Sequence, residues 1–501
     1  MSRGTIQRGL LGSRANPLTN RQMPIQGTGV PVGFFQPQPI VFWIVIISLA
    51  LLGLQTQYPD LTCGSIILLG VLISLLRIKG DSPILLGCCL MQWLQVVTPV
   101  LYCDFHKVSL EGAFLFPEMA MATQLSLWGI LALAVGMRVA LGKWHVAPKA
   151  MIEEAAAISS SRLTRLWWIA FFIGFVASGF AWRGGGLAQA FNAMVNLKWV
   201  VFYVLAYRAL NCGADGRLLS FALLLEFARG LLGFFGSFKE VLFMFLVAAT
   251  TSSKSLTLRV KCFIVTIALA GLMASVFWSA VKMQYRSYLS TRWSRTNSVP
   301  ITEKIAALKK ISDHTEGGVM NVGIDKLLAR LSYTQWFGQT ISHVPSRVPH
   351  EGGTLLLDAV KHVLMPRILF PNKKILDDSA RTARYTGVAV AGRESGTSIG
   401  IGYMAESYVD FGPQGMMVPI FFLGLLVGRV YRYFTLQNGS RLWGTAISTA
   451  VCFTLMLAYA TQGVKILGGF LTCSLLMWAL NSAFGKGIRA WLLRDALQRR
   501  T

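Results

Sequence analysis

Apolar stretches of 14 to 22 residues recur through this chain at 40–54, 61–76, 83–103, 120–141, 163–182, 197–213, 218–236, 238–251, 262–283, 415–434, 442–462 and 464–484. About 20 apolar residues in a helix cross the roughly 30 Å hydrocarbon core of a bilayer. Inside lipid every backbone N–H and C=O must be paired within the structure, and these runs do not alternate in polarity as barrel strands do. They therefore read as helices. Composition points the same way, with 54% apolar and 14% charged residues, against roughly 25% charged in soluble domains. The formal charge of +25, from 47 Lys plus Arg against 22 Asp plus Glu, would suit a nucleic-acid binder. Such a binder would not carry the apolar runs. A soluble enzyme, a disordered chain and a DNA-binding domain are thereby excluded. The eight Cys contain no Cys-x-x-Cys pair, which argues against a disulfide or zinc framework. The chain is expected to be an all-α polytopic membrane protein of about twelve spans.

Charge sets the expected orientation. With the N-terminus inside, the cytoplasmic tails and short segments hold 24 basic residues, among them Arg77, Lys143, Arg208, Lys261, Arg432 and Arg489. The short outer segments hold six: Lys107, Arg183, Lys198, Arg229, Lys239 and Lys465. That bias follows the positive-inside rule and puts both termini in the cytoplasm. The pair 218–236 and 238–251 is either two spans or one re-entrant hairpin, because both runs are short and Gly230, Gly233 and Gly236 interrupt them. The count is then twelve or ten, and the sides are unchanged. Residues 1–39, polar and rich in Pro and Gly, read as a disordered basic cytoplasmic tail without a cleaved signal. A first bundle of about nine spans at 40–283 follows, then a large outer loop at 284–414, three last helices at 415–484 and a basic tail at 485–501.

The loop is the expected carrier of chemistry. Its part 284–398 holds 16 basic residues, nine acids and four His. Ile324, Leu327, Leu328 and Leu331 have helical spacing, and so do Leu356, Ala359, Val360 and Val363, so short amphipathic helices over the outer face are expected. Three groups of residues stand out. Glu226 and Arg229 share one helical face within an apolar run. An ionisable group at membrane depth costs roughly 2.5–3.5 kcal/mol, so this pair either neutralises itself structurally or, with Lys239 beside Glu240, faces an anion. Pro366 and Pro371 bracket a stretch containing Arg367, with Lys373 and Lys374 just beyond, and Arg330, Arg381, Arg384 and Arg393 add further charge. Arg grips phosphate oxygens bidentately, although a basic loop can also simply rest on anionic headgroups. Glu406 and Asp410 sit four apart, on one face if 403–415 is helical. They are either a general base at a lipid boundary or acids paired with loop Arg. The stretch from Gly396 to Gly402 lacks the Gly-Lys-Ser/Thr ending of a nucleotide loop, and the four loop His have no tight metal spacing. No cofactor and no metal are expected.

Two strings carry a resemblance. Pro366-Arg-x-Leu-x-Pro371-Asn-Lys373 in the late outer loop and Glu406-x-Tyr408-x-x-Phe411-Gly-x-x-Gly415 entering the next span resemble the oligosaccharide repeat-unit polymerases, the O-antigen and exopolysaccharide polymerases of bacterial envelopes. The hairpin from Arg229 to Glu240 is similar to that family's basic mid-chain turn. The resemblance implies an integral glycosyltransferase of the bacterial inner membrane that uses neither metal nor nucleotide sugar. It would transfer an undecaprenyl-pyrophosphate-linked glycan to a sugar hydroxyl of a second lipid-linked repeat unit. Its partners would be the bilayer and other export or chain-length proteins, with no nucleic acid. Glu406 would act as base, with Arg367 and Arg229 facing the pyrophosphate. Glu226, Lys239, Arg330, Lys373, Lys374, Arg384, Arg393 and Tyr408 would bind substrate. A carrier of lipid-linked oligosaccharide and a glycan ligase remain alternatives. The absence of repeated motifs and the concentration of polar residues in one loop speak against the carrier.

Overall fold

The computed structural model describes residues 30–32, 38–114, 116–183, 187–233, 237–252, 258–291, 301–314, 318–365, 370, 372–373, 377–392, 398–437 and 439–498. Within the tail read as disordered, β1 (Val30–Val32) instead pairs antiparallel with β2 (Trp144–Val146). Among the described residues, everything else that is regular is helix. α1 (Ile40–Gly53), α2 (Pro59–Leu76), α3 (Ile84–His106) and the short α4 (Leu110–Phe114) lead to α5 (Met119–Leu141). After β2 come α6 (Pro148–Ala157), α7 (Ser160–Arg183), α8 (Ala188–Val195) and α9 (Leu197–Cys212). α10 (Gly216–Leu231), α11 (Phe238–Thr251) and α12 (Leu258–Thr291) complete the first bundle. The segment expected as the outer loop contains α13 (Ile301–Asp313), α14 (Val319–Leu331), α15 (Thr334–His343), α16 (Thr354–Leu364), α17 (Asp378–Thr386) and α18 (Tyr403–Gly415). The expected amphipathic stretches fall within α14 and α16. The chain closes with α19 (Met417–Gln437), α20 (Arg441–Phe453) and α21 (Gly463–Gln498).

Among the described residues, eight helical segments are long and apolar enough to cross a membrane. They are α2, α3, α5, α7, α8 with α9, α12, α19 and α21. Each of the other four apolar runs also forms a helix, but of only 13 to 16 residues. At 1.5 Å per residue such helices reach about 20–24 Å, short of a bilayer core. α20 stops at Phe453, and 454–462 continue as irregular backbone although the sequence stays apolar. Lipid would not tolerate that, but Leu455, Met456, Ala458 and Tyr459 are buried within the protein, where irregular backbone can be satisfied.

The tightest packing joins α5 to α19, and glycine makes it so. A Cβ at Gly424 would lie 2.1 Å from the Leu133 carbonyl oxygen, one at Gly428 2.5 Å from that of Met137, and one at Gly136 2.2 Å from that of Phe421. Gly424 and Gly428 are four apart, the small-residue spacing that lets two helix backbones touch in a membrane. This seam fixes α19, and with it the α18 that runs into it.

The connections gather at two ends. At one, Trp144 Nε1 and the Tyr431 hydroxyl donate to the Asp81 carboxylate at 2.8 and 2.7 Å. There too Glu154 accepts from the Leu442 N–H and the Ser440 hydroxyl at 2.9 and 2.8 Å, capping α20. At the other end the Tyr58 hydroxyl accepts from the Leu110 N–H at 2.9 Å, and the Phe116 and Trp336 rings meet at 5.7 Å.

Candidate functional site

α18 begins at Gly402, whose φ of 89° favours glycine and where a Cβ would meet the Tyr459 carbonyl oxygen at 2.5 Å. The start of the helix is thus pressed against the irregular 454–462 segment. One turn in, Glu406 is 6% exposed. Its Oε1 accepts from Arg381 Nη1 at 2.8 Å, and its Oε2 from the Gly463 N–H at 2.7 Å. Gly463 is the first residue of α21, so the carboxylate sits on a helix N-terminus, where the macrodipole favours negative charge. Burial pushes the Glu406 carboxyl above its ordinary 4.5, while Arg381 and the Gly463 N–H hold it back. A carboxylate offers about four lone pairs and two of these are used, which leaves acceptor capacity for a substrate hydroxyl.

Glu406 and Asp410 do share a face: both line a cavity of about 540 Å³. Asp410 accepts from the Leu355 and Leu356 N–H groups at 3.0 and 2.8 Å and so caps α16, one wall of that cavity. Tyr403 and Ser407 add polar edges, and Leu356, Val360, Phe422 and Leu426 are typical of the apolar remainder. The helix bends at Gly412, at φ 70° with Pro413 following, before entering α19. Acids in the wall of a largely apolar cavity suit an amphiphilic ligand.

A ring of polar contacts holds α17 over this acid. Asp378 accepts from Lys465 on α21 and from the Ser398 hydroxyl. Arg384 and the Tyr385 hydroxyl donate to Glu351 at 2.6 and 2.8 Å. The Tyr333 hydroxyl donates to the Gly400 carbonyl, and burial pushes that phenol up to about 12.

Three residues before Tyr333, Arg330 belongs to a second group. Lys198 Nζ and Arg229 Nη2 both donate to Glu226 Oε2, at 2.6 and 3.0 Å, and Lys198 lies 4.3 Å from the Trp199 ring centre. Lys198 and Glu226 are 3% and 5% exposed. Glu240 lies within electrostatic reach of all three, and Lys239, Lys282, Arg286 and Arg330 are close enough to repel one another. Lys198, Arg229 and Lys239 thus neighbour the two carboxylates, and Lys282, Arg286 and Arg330 extend the group, which carries an excess of positive charge. The turn between α10 and α11 is tight: a Cβ at Gly230 would lie 2.4 Å from the Phe238 nitrogen.

The structure therefore brings together Glu226, Arg229, Lys239 and Arg330 in one cluster, and places Glu406 in a separate one. Other expected site residues are engaged elsewhere. Tyr408 is buried, its hydroxyl donating to the Val344 carbonyl at 3.1 Å, and it packs edge-on to Phe337. Lys373 donates to the His362 and Met365 carbonyls at the end of α16. Arg384, largely exposed, is spent on Glu351. Arg367, Lys374 and Arg393 lie outside the described residues. Sequence reasoning did not single out Asp378, Lys282 or Arg286, and it read Lys198 only as a loop charge. Lys282 did carry a signal, since it is an ionisable residue inside the apolar run 262–283.

The fold and these charged clusters define a predominantly helical, membrane-embedded class of protein with buried charged groups between its helices. Residues 98–480 match the family model described as a domain of unknown function, DUF8712, and the chain belongs to that family. No curated protein and no solved structure matches the chain.

Proposed function

We propose that this protein is a polysaccharide polymerase at the outer face of a bacterial inner membrane. It would transfer a glycan from its undecaprenyl pyrophosphate carrier to a sugar hydroxyl of another lipid-linked repeat unit. The observation that carries the reading is Glu406 in the wall of a largely apolar cavity. Such a cavity takes a lipid-linked glycan with the lipid along the apolar walls and the sugar at the acid. In this reaction the acceptor hydroxyl gives its proton to Glu406 as its oxygen bonds to the donor's anomeric carbon. The bond from that carbon to the pyrophosphate oxygen breaks, and the pyrophosphate leaves on its lipid. Negative charge grows on the leaving oxygen, where fixed cations lower the barrier. Arg229, Lys239 and Arg330 supply them, with Lys198 and Glu226 holding Arg229 in place. Arg381 positions the base.

The corresponding topology keeps both termini cytoplasmic, with the four short apolar helices completing about twelve membrane segments. It is supported by the way connections assigned to one side touch each other, as Asp81 does Trp144 and Tyr431, and Glu154 does Ser440. The test is the length distribution of the host's surface glycan and its lipid-linked intermediates, in a deletion strain complemented with wild type, Glu406→Gln or Arg229→Ala. Single repeat units in the deletion and in both stably inserted variants are expected. Units accumulating on the cytoplasmic face would replace the polymerase by a carrier, and long chains retained on lipid by a ligase. An unchanged glycan would overturn the reading.

A further inference from the structure

The half of α19 beyond the Glu406 cavity lines a second groove, of about 800 Å³, between itself and α21. Arg429, Arg432 and Tyr433 face it from α19, and Leu471, Leu475 and Trp478 from α21. Its outer rim is open: Leu475 is 64% and Trp478 48% exposed. Arg429 is also exposed, and among the described residues it has neither a hydrogen-bond nor an ion-pair partner. It stands eight residues before the end of α19, about 12 Å inside that end, within the span Met417–Leu436. An arginine facing lipid at such depth is costly unless it reaches water or an anion. Arg432, one turn along, donates Nη1 to the Leu141 carbonyl at 2.7 Å, which leaves most of its donors for a ligand. Among the described residues no acid lines the groove.

We infer that this groove holds one anionic glycerophospholipid. Its phosphate sits on Arg429 and Arg432, which offer a guanidinium fork and a second cation. An acyl chain runs over Leu471 and Leu475, and Tyr433 and Trp478 flank the headgroup as amphipathic rings do at the interface. A zwitterionic headgroup brings its own cation against the two arginines, so a net negative headgroup is selected. This inference is independent of the polymerase reading, because none of its residues borders the Glu406 cavity.

The test uses the full chain purified in detergent and titrated with phosphatidylglycerol, phosphatidylcholine or inorganic phosphate. Bound lipid is read by native mass spectrometry. Contact is read from quenching of Trp478 by brominated acyl chains, with Trp478→Phe as the subtraction. Phosphatidylglycerol is expected to bind about tenfold more tightly than phosphatidylcholine, the difference that one charge-assisted contact supplies. Arg429→Gln, at an exposed position where folding is not at stake, should remove that preference, and Leu475→Trp should lower binding of both lipids. Lys486→Gln should change nothing. Equal binding of the two lipids, a preference that survives Arg429→Gln, or saturation by inorganic phosphate alone would overturn the inference. So would displacement of phosphatidylglycerol by a single-chain polyprenyl phosphate.

Discussion

Desolvation favours the protonated form of Glu406, and the three groups facing it set how far. Arg381 and the α21 N-terminus favour the carboxylate, while the nearby Asp378 charge disfavours it. Its folded pKa lies above 4.5, so the folded protein retains a proton that the unfolded chain has released. The group's contribution to stability therefore declines as pH rises from the ordinary value through the raised one. The proton-accepting form increases over the same window, so glycan transfer should rise with pH there. Arg381→Met removes the strongest influence that lowers the pKa, and the acid limb of the pH–rate profile should move to higher pH. A limb that stays in place would assign it to another group. In the second cluster, Glu226→Gln leaves Lys198 and Arg229 without their shared counter-charge. Breaking a buried pair from one side costs roughly 3–5 kcal/mol. Thermal unfolding in detergent should show that loss, and Lys198→Met added to Glu226→Gln should recover much of it. A double variant no more stable than the single one would mean that the pair is not coupled.

The elements are held by backbone approach and by caps supplied from a distance. α5 and α19 meet where Gly424 leaves no room for a side chain. Gly424→Leu should therefore force the helices apart and abolish a folded, monodisperse protein. Gly179→Ala in α7, where a Cβ meets nothing within 4 Å, should be neutral or stabilising by up to about 1 kcal/mol. Size-exclusion profiles and melting curves of the two variants separate these outcomes. α16 starts without a capping side chain of its own, and Asp410 supplies one from α18. Asp410→Ala should cost about 1–2 kcal/mol through the orphaned N–H groups and loosen one cavity wall. Faster hydrogen exchange confined to α16 and its neighbours would show it. Unchanged exchange there would mean that α16 is held by packing alone.

For the whole molecule, the assignment of sides predicts which positions a membrane-impermeant thiol reagent reaches. In a background stripped of native cysteines, Glu111→Cys should label from outside intact cells. Lys143→Cys should label only after the membrane is opened. Labelling of both under the same condition would overturn the topology. At this scale much was legible in the sequence: each of the twelve apolar runs contains a helix, and the amphipathic spacings at 324–331 and 356–363 fall within α14 and α16. The break at 453 was not legible, because nothing in the local sequence marks it. It goes with burial of Leu455, Met456, Ala458 and Tyr459, the last pressed against Gly402 at the start of α18, nearly 60 residues away in the chain.

Which residues leave water, and in what local conformation, was determined by the sequence alone. Transfer free energy and helical periodicity accumulate residue by residue, and a run such as 120–141 carries its own answer. Glu226 with Arg229 and Glu406 with Asp410 were legible for the same reason, since helical spacing puts them on one face. Only the tertiary structure decided that Glu406 meets Arg381, 25 residues earlier, and that Lys198 meets Glu226, 28 residues later. The same holds for Asp378 and Lys465, 87 apart. These pairs depend on how rigid helices cross, and that is set by packing at seams such as Gly424 against Leu133 rather than by the charged residues themselves.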